Sequence, residues 1–342
     1  MSRPDSAAPL DPVALALELM RVDSTSGREG DVIAWMHHWL EGRGWRVRRI
    51  PVTPGRDDLL ATASEAPLVT LSTHLDTVPP YIAPRLEGSR LIGRGACDAK
   101  GIAAAMTCAA EGLRARGTPV ALLFVVGEEV THDGAHAANR IATTSRVLID
   151  GEPTESRLVL GTKGAVRALV RTNGRAAHSA YPELGTSATA ELVRLLHGLD
   201  DLELPVDELL GETTINIGTL AGGLADNVIA PSAEAKIMAR IVGPPEEMLA
   251  ILERWAGDRA TLQVGAVVPP VRLGSLPGFP TSIVAYATDI PELTNWGTPY
   301  LFGPGSIHVA HTDDEYVDVG ELREAVGAYE RLAMGALERA GA

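Results

Sequence analysis

The chain has 342 residues, a length typical of two domains that each bury a core. Hydrophobic residues make up 45% and charged residues 22%, so collagen-like, coiled-coil and disordered chains are excluded. The 30 basic and 44 acidic residues leave a net charge of −14, which argues against a nucleic-acid or anionic membrane partner because both select basic surfaces. The acid excess serves solubility, or part of it holds cations.

The first 160 residues alternate between helical and strand patterns. Asp11-Pro12 before a periodic apolar segment predicts a capped helix near 12–22, and Gly30–Leu40 predicts a second one before a strand at 45–52. The alanine-rich segment 101–116 predicts a third helix. Continuous apolar runs predict strands that are buried on both faces at Leu68–Leu71, Val120–Val126 and Val147–Ile149. This alternation indicates an α/β domain with a mixed sheet flanked by helices.

The pattern changes near Gly164 to half-exposed strands with alternating apolar and polar residues. The elements predicted there, in βαββαβ order, are Ala165–Thr172, helix 186–199, Thr213–Leu220, Ala233–Val242, helix 245–256 and strand 260–267. The α/β character then returns, with predicted elements Ser282–Ala287, Pro299–Phe302 and helix 319–339. We therefore predict a discontinuous catalytic domain, 1–163 with 273–342, interrupted by an α+β lid and dimerisation domain at 164–272.

Cysteine content and the chain's beginning bear on its compartment. Cys97 and Cys108 are too few for a disulfide framework and lack the spacing of structural zinc sites, so His, Asp and Glu must hold any metal. No signal-peptide pattern is evident, and no apolar stretch approaches the roughly 18 to 20 residues of a transmembrane helix. We expect a cytoplasmic protein.

Acidic and histidine residues follow the predicted strands, where α/β proteins place their sites. His74 and Asp76 share one face of an extended segment, so one can be a ligand and the other its orienting partner, although His-x-Asp is also common in surface turns. The adjacent carboxylates Glu128 and Glu129 are harder to explain structurally, because like charges beside an apolar strand need a cation or a proton.

Three further segments add candidate ligands. Asp98 lies in a glycine-punctuated loop before a helix, where it is either a ligand or a helix cap; the loop matches neither phosphate-binding fingerprint. Glu152 follows the third apolar run, and His311 lies near the C-terminus; each alone is consistent with a solvated turn. Together these residues supply one shared carboxylate plus one histidine and one carboxylate for each of two metals. Such ligands favour zinc, with cobalt or manganese as substitutes.

These ordered motifs, with the βαββαβ insertion between the fourth and the fifth, resemble the dizinc amidohydrolases that include acetylornithine deacetylase, succinyl-diaminopimelate desuccinylase, acetyl-lysine deacetylase and the glutamate carboxypeptidases. The resemblance covers nearly the whole chain. It implies two zinc ions per subunit, held by His74, Asp98, Glu129, Glu152 and His311, with Asp98 shared between them. It also implies that Glu128 is the general base and that Asp76 orients His74.

The insertion carries further matches to the same family. His178 resembles a lid histidine that reaches across a homodimer interface to stabilise the oxyanion. Asn227 and Arg240 resemble the residues that bind the substrate carboxylate. Two departures bear on specificity: Gly185-Thr-Ser187-Ala stands where the family has Gly-x-Asn-Ala, and Tyr286-Ala-Thr-Asp-Ile-Pro replaces the usual pocket loop.

The stretches that begin at Phe302 and His311 favour the acetyl-lysine and acetylornithine deacetylase branch. The expected substrate is a small N-acyl amino acid, either free or linked to an acidic carrier protein, in lysine or arginine biosynthesis. The alternatives are a desuccinylase, a glutamate-type carboxypeptidase or dipeptidase, and a non-catalytic dimeric binding module. A serine hydrolase is disfavoured because Gly305-Ser306 lacks the GxSxG elbow. His132, His136 and His308 could be mistaken for ligands, and the sequence favours His311 over them.

Overall fold

The structure is a computed structural model that describes residues 10–341. The chain forms two compact units. The larger unit comprises the described parts of Met1–Leu160, Leu273–Ser282 and Thr288–Ala342, and the smaller comprises Gly161–Arg272 and Ile283–Ala287. The smaller unit therefore begins three residues before the predicted boundary and takes in an additional later segment. The strand expected over Ser282–Ala287 spans Thr281–Val284.

Seven α-helices occur in the described chain: α1 Pro12–Met20, α2 Gly30–Gly42, α3 Lys100–Ala115, α4 Asp133–Ala138, α5 Ala188–His197, α6 Pro245–Ala256 and α7 Val319–Arg339. The strands are β1 Arg46–Thr53, β2 Arg56–Thr62, β3 Val69–His74, β4 Arg85–Glu87, β5 Arg90–Ile92, β6 Val120–Val125, β7 Val147–Asp150, β8 Leu158–Thr162, β9 Gly164–Asn173, β10 Val206–Asp207, β11 Gly211–Glu212, β12 Thr214–Gly222, β13 Ser232–Ile241, β14 Thr261–Val268, β15 Val271–Arg272, β16 Thr281–Val284, β17 Thr298–Leu301 and β18 Tyr316–Asp318. None of these helices combines the length and the apolar composition that a membrane span requires.

The larger unit is built on a mixed sheet, which confirms the predicted fold class. Its strands run in the order β1-β2-β6-β3-β7-β17-β8; β6, β3, β7 and β17 are parallel neighbours, whereas β1 and β2 are antiparallel. Leu122 and Phe124 of β6 belong to the core that contains α1, α3 and α7, and Leu123 and Val125 belong to a second core with α4. Successive side chains of a strand point to opposite faces, so apolar residues in sequence fill both cores.

This topology decides where the polar residues meet. The carboxyl ends of parallel strands lie at one edge of the sheet. His74 ends β3, Glu128 and Glu129 follow β6, and Glu152 lies two residues beyond β7. The fold therefore gathers these four side chains at a single edge.

The smaller unit is an antiparallel sheet with two helices, as the βαββαβ pattern predicts. Its strand order is β12-β13-β9-β14, so β12 is an edge strand. Apolar side chains of β9 and β13 pack with α5 and α6 around Leu195 and Trp255. The opposite face of the sheet carries Arg167 and Lys236, which are exposed, and the half-buried Arg240.

Candidate metal centre

His74 is held so that one ring nitrogen faces a group of carboxylates. Its side chain is 1% exposed, and Nδ1 lies 3.0 Å from the backbone oxygen of Asp76. A carbonyl oxygen only accepts hydrogen bonds, so Nδ1 carries a proton there. Nε2 lies 2.9 Å from Asp98 Oδ1 and 3.9 Å from Glu152 Oε1. This orientation, with one nitrogen anchored and the other aimed at acidic groups, is typical of a metal-binding histidine.

The carboxylate of Asp98 lies between two histidines. Its Oδ1 contacts His74, and its Oδ2 lies 3.1 Å from Nε2 of His311. The same His311 nitrogen lies 3.0 Å from Glu129 Oε2. The alternative role of Asp98 as a helix cap is wrong, because α3 is preceded by Ala99 and has no side-chain capping hydrogen bond. Asp98 thus separates a His74–Glu152 pair from a His311–Glu129 pair.

Burial and charge act in opposite directions on these groups. Burial lowers the pKa of His74, but hydrogen bonds with Asp76 and Asp98 outweigh it and hold that pKa well above its ordinary value. Contacts with Asp98 and Glu129 raise the pKa of His311 to about 10. Burial, followed by the charge of Glu128, raises the pKa of Glu152 well above its usual range. The Glu152 carboxylate is therefore short of positive charge, a deficit that a bound cation would remove.

Glu128 lies beside this cluster with its backbone fixed. The carboxylate of Asp76 accepts the N–H groups of Glu128 at 3.1 Å and Glu129 at 3.3 Å, together with the hydroxyl of Ser26 at 2.8 Å. Burial raises the pKa of Glu128 well above its usual range, and the nearby acids Asp289 and Glu129 add to that effect. Asp76 therefore faces His74 both through its backbone oxygen and through Oδ1, which lies 3.5 Å from Nδ1, and its carboxylate also holds the Glu128–Glu129 turn.

A histidine–aspartate pair also adjoins Glu128. His132 Nδ1 lies 2.7 Å from Asp289 Oδ1 and 4.0 Å from Glu128 Oε1. The sequence predicts no role in the site for His132 and places Asp289 only in the loop that replaces the family's usual pocket loop. His136 instead contacts Glu292 at 3.1 Å, and the exposed His308 forms no ion pair with an acidic side chain within residues 10–341, unlike His311.

The three site residues predicted in the insertion lie in the smaller unit. The segments of His178 and Asn227 are joined there, because the N–H of Ser179 donates to the Asn227 carbonyl at 2.9 Å and His178 bridges to Val228. His178 and Asn227 are exposed. Arg240 is paired with Thr214 across β12 and β13, and burial, followed by the charge of Arg167, lowers its pKa.

The larger-unit cluster matches the donor requirements of a pair of metal ions. Two ligands of one tetrahedral zinc ion at about 2.0–2.1 Å are about 3.3 Å apart. The nitrogen–oxygen separations of 2.9, 3.0, 3.1 and 3.9 Å bracket that value. Imidazole and carboxylate donors without thiolate also fit zinc, cobalt and manganese. The residues present therefore fit two divalent ions that share Asp98.

Residues 160–263 match the peptidase dimerisation domain. The chain is 38% identical over 335 residues to a peptidase M20 domain-containing protein of Schizosaccharomyces pombe, covering 94% of this chain and 84% of that protein. Together with the fold and the site, this similarity defines the class: the chain is a metal-dependent hydrolase that acts on amide bonds. It belongs to the M20 peptidase family.

Two further comparisons describe the similarity. The chain is 37% identical over 381 residues to a "probable carboxypeptidase" of Aspergillus clavatus, covering 98% of this chain and 84% of the relative. Its fold is similar to that of the YxeP protein of Bacillus subtilis, a dinuclear metal-binding peptidase of the M20 family, with a TM-score of 0.72 and 16% identity over 96% of this chain and 98% of the other.

Proposed function

We propose that this enzyme uses two divalent metal ions to hydrolyse an amide whose nitrogen belongs to an amino acid with a free carboxylate. The observation that carries the proposal is the position of Asp98, with one oxygen 2.9 Å from His74 and the other 3.1 Å from His311. Glu152 accompanies the first histidine and Glu129 the second. Two zinc ions per subunit, with cobalt as a substitute, suit these ligands.

The proposed reaction assigns a separate task to each of the chain's groups. The metal ions, when bound, supply Lewis acidity that makes the attacking water and the scissile carbonyl more reactive. Glu128 takes a proton from the water and passes it to the departing amine. Asp76 keeps Glu128 in place, because its carboxylate accepts the Glu128 N–H at 3.1 Å. Burial, which raises the pKa of Glu128, also helps it retain a proton until the amine leaves.

The smaller unit supplies the proposed substrate contacts. His178, from a partner subunit, would donate to the oxyanion, and Asn227 with Arg240 would bind the substrate carboxylate. A guanidinium suits a planar carboxylate because it offers two parallel N–H donors. Arg240 lies half-buried on the helix-free face of the sheet, so its charge is partly withdrawn from water.

Two substrate classes satisfy this description. A carboxypeptidase releases a C-terminal amino acid from a peptide, and the name of the Aspergillus clavatus relative favours this class. A deacetylase of the acetylornithine or acetyl-lysine type, in amino-acid biosynthesis, releases an amino acid from a small acyl group or an acidic carrier protein. The segment from Phe302 to Tyr316, which resembles that branch, favours the deacetylase. Both classes release an amino acid. They differ in the acyl group that is bonded to the nitrogen of that amino acid, which is a peptide in one class and a small acyl group or a carrier protein in the other.

A substrate panel separates the two classes. We would compare kcat/KM for dipeptides, acetylornithine, acetyl-lysine, succinyl-diaminopimelate and a carrier-linked lysine, with added zinc or cobalt. A carboxypeptidase favours the peptides, and a deacetylase favours the acetyl or carrier-linked substrates. Each preferred substrate is also assayed with its carboxylate amidated. We expect about a tenfold or greater loss of kcat/KM, because the half-buried guanidinium of Arg240 is left without its charged partner. Equal rates with the amidated substrate would contradict the proposal.

We also propose that the enzyme is a homodimer. The match of residues 160–263 to a dimerisation domain supports this, and so does the edge strand β12, whose Leu220 is 55% exposed. Long edge strands with exposed apolar side chains are uncommon in monomers because they invite pairing. Light scattering should give twice the chain mass, and a monomer at micromolar concentration would contradict this assignment. A cytoplasmic location stays a prediction of the sequence.

A further inference from the structure

A fully buried ion pair, Arg94–Glu315, contacts the loop that carries Asp98. Arg94 Nη1 donates to Glu315 Oε2 at 2.6 Å, and both side chains are at most 1% exposed. A buried arginine–glutamate pair gives little net stability by itself, because desolvation of both charges offsets their attraction. Its position therefore needs another explanation.

The second oxygen of Glu315 holds the loop that carries the shared carboxylate. Oε1 accepts the backbone N–H groups of Cys97 and Asp98, each at 3.2 Å. The backbone oxygen of Glu315 accepts the N–H of Gly93 at 2.9 Å. The loop from Gly93 to Asp98 is thus bound at both ends by one residue.

Arg94 connects the same loop to the last histidine. Its Nη1 also donates to the backbone oxygen of Thr312 at 3.2 Å, next to His311. Its Nε donates to the oxygen of Pro80 at 3.3 Å. The ion pair therefore joins the Asp98 loop to the segment that contains His311, although the two lie more than 200 residues apart in sequence.

We propose that Glu315 is a positioning residue which, paired with Arg94, fixes the distance between the Asp98 carboxylate and His311 and so sets the affinity for the metal ions. This inference rests on the proposed metal centre. Groups that orient metal ligands typically contribute about 10- to 100-fold in metal affinity or activity. A glutamine at position 315 cannot replace the carboxylate, because its amide would direct a donor either at Arg94 or at the two backbone N–H groups.

The test is calorimetric titration of Co²⁺ into the metal-free full chain, together with the visible absorption spectrum of the cobalt protein. We expect Glu315→Gln to weaken Co²⁺ binding by about 10- to 100-fold and to alter the spectrum. Arg94→Lys keeps the charge but loses the planar guanidinium, so it should give a smaller change in the same direction. If Glu315→Gln does not fold, the Co²⁺ affinity of Arg94→Lys tests the proposal instead.

A second buried ion pair supplies the matched control. Glu29 is fully buried and bound to Arg56 at 2.9 Å. Glu29→Gln should lower Tm in a similar way without changing Co²⁺ affinity, which separates positioning from general destabilisation. Asp98→Asn is measured in parallel. Unchanged binding in Glu315→Gln and Arg94→Lys, with loss in Asp98→Asn, overturns this inference alone; unchanged binding in Asp98→Asn overturns the ligand set and this inference with it.

Discussion

Replacing Glu128 with glutamine should leave both metal ions bound and reduce kcat by about 10²- to 10⁴-fold, the usual contribution of a positioned general base. Glutamine keeps the size of the side chain and the backbone N–H that Asp76 accepts at 3.1 Å, so the turn should survive. It cannot take a proton from water. The loss should fall on kcat more than on KM, because the group acts during proton transfer.

The control for this prediction is a nearby acid outside the cluster. Glu292 pairs with His136 at the surface, 3.1 Å away, and Glu292→Gln should change kcat by less than about twofold. Metal content is measured on both variants. Full activity in Glu128→Gln would contradict the assignment of the base, and loss of metal would indicate that Glu128 is a ligand instead.

The double variant His74→Ala, Glu152→Ala should lose one metal ion per chain and nearly all activity. Both side chains belong to one of the two sites that Asp98 separates, and His74 Nε2 lies 3.9 Å from Glu152 Oε1. Removing both leaves only the shared carboxylate, which is too few ligands for a closed zinc site. The reciprocal variant, Glu129→Ala with His311→Ala, should empty the other site.

His308→Ala is the matched control for the ligand variants. His308 is only three residues from His311 in sequence, but it makes neither of the contacts with Asp98 and Glu129 that His311 makes. Its metal content and kcat/KM should equal those of the unsubstituted enzyme. Full zinc stoichiometry in the His74→Ala, Glu152→Ala variant would contradict the ligand assignment.

Strong periodicity made much of the fold predictable. The helices expected at 245–256 and 319–339 have those bounds in the structure. Strand β2 was not predicted, because Arg56-Asp57-Asp58 has the composition of a turn. Asp58 is nevertheless buried, where it accepts the N–H of Val126 at 3.1 Å. Strands of two or three residues, such as β5, are too short for any period to be visible.

The candidate site likewise contains residues that the sequence predicts and residues that it does not. Strand-end acids and histidines were visible because each follows its own apolar run. The partners that hold them were not, since His132 and Asp289 are 157 residues apart and Arg94 and Glu315 are 221 apart. Local pattern carries no information about such pairs. The sequence also assigned Asp76 to His74 alone, whereas its carboxylate accepts the N–H groups of Glu128 and Glu129.

We propose that catalysis requires two divalent ions in one cluster of two histidines and three carboxylates. The most direct test of this requirement is stepwise addition of Zn²⁺ to chelator-treated, metal-free enzyme, with bound metal and activity measured at each step. We predict an inactive starting protein that binds two ions per chain and reaches full activity as the second site fills. Full activity in the metal-free protein, or activity that reaches its maximum without bound metal, would contradict the proposed two-metal requirement.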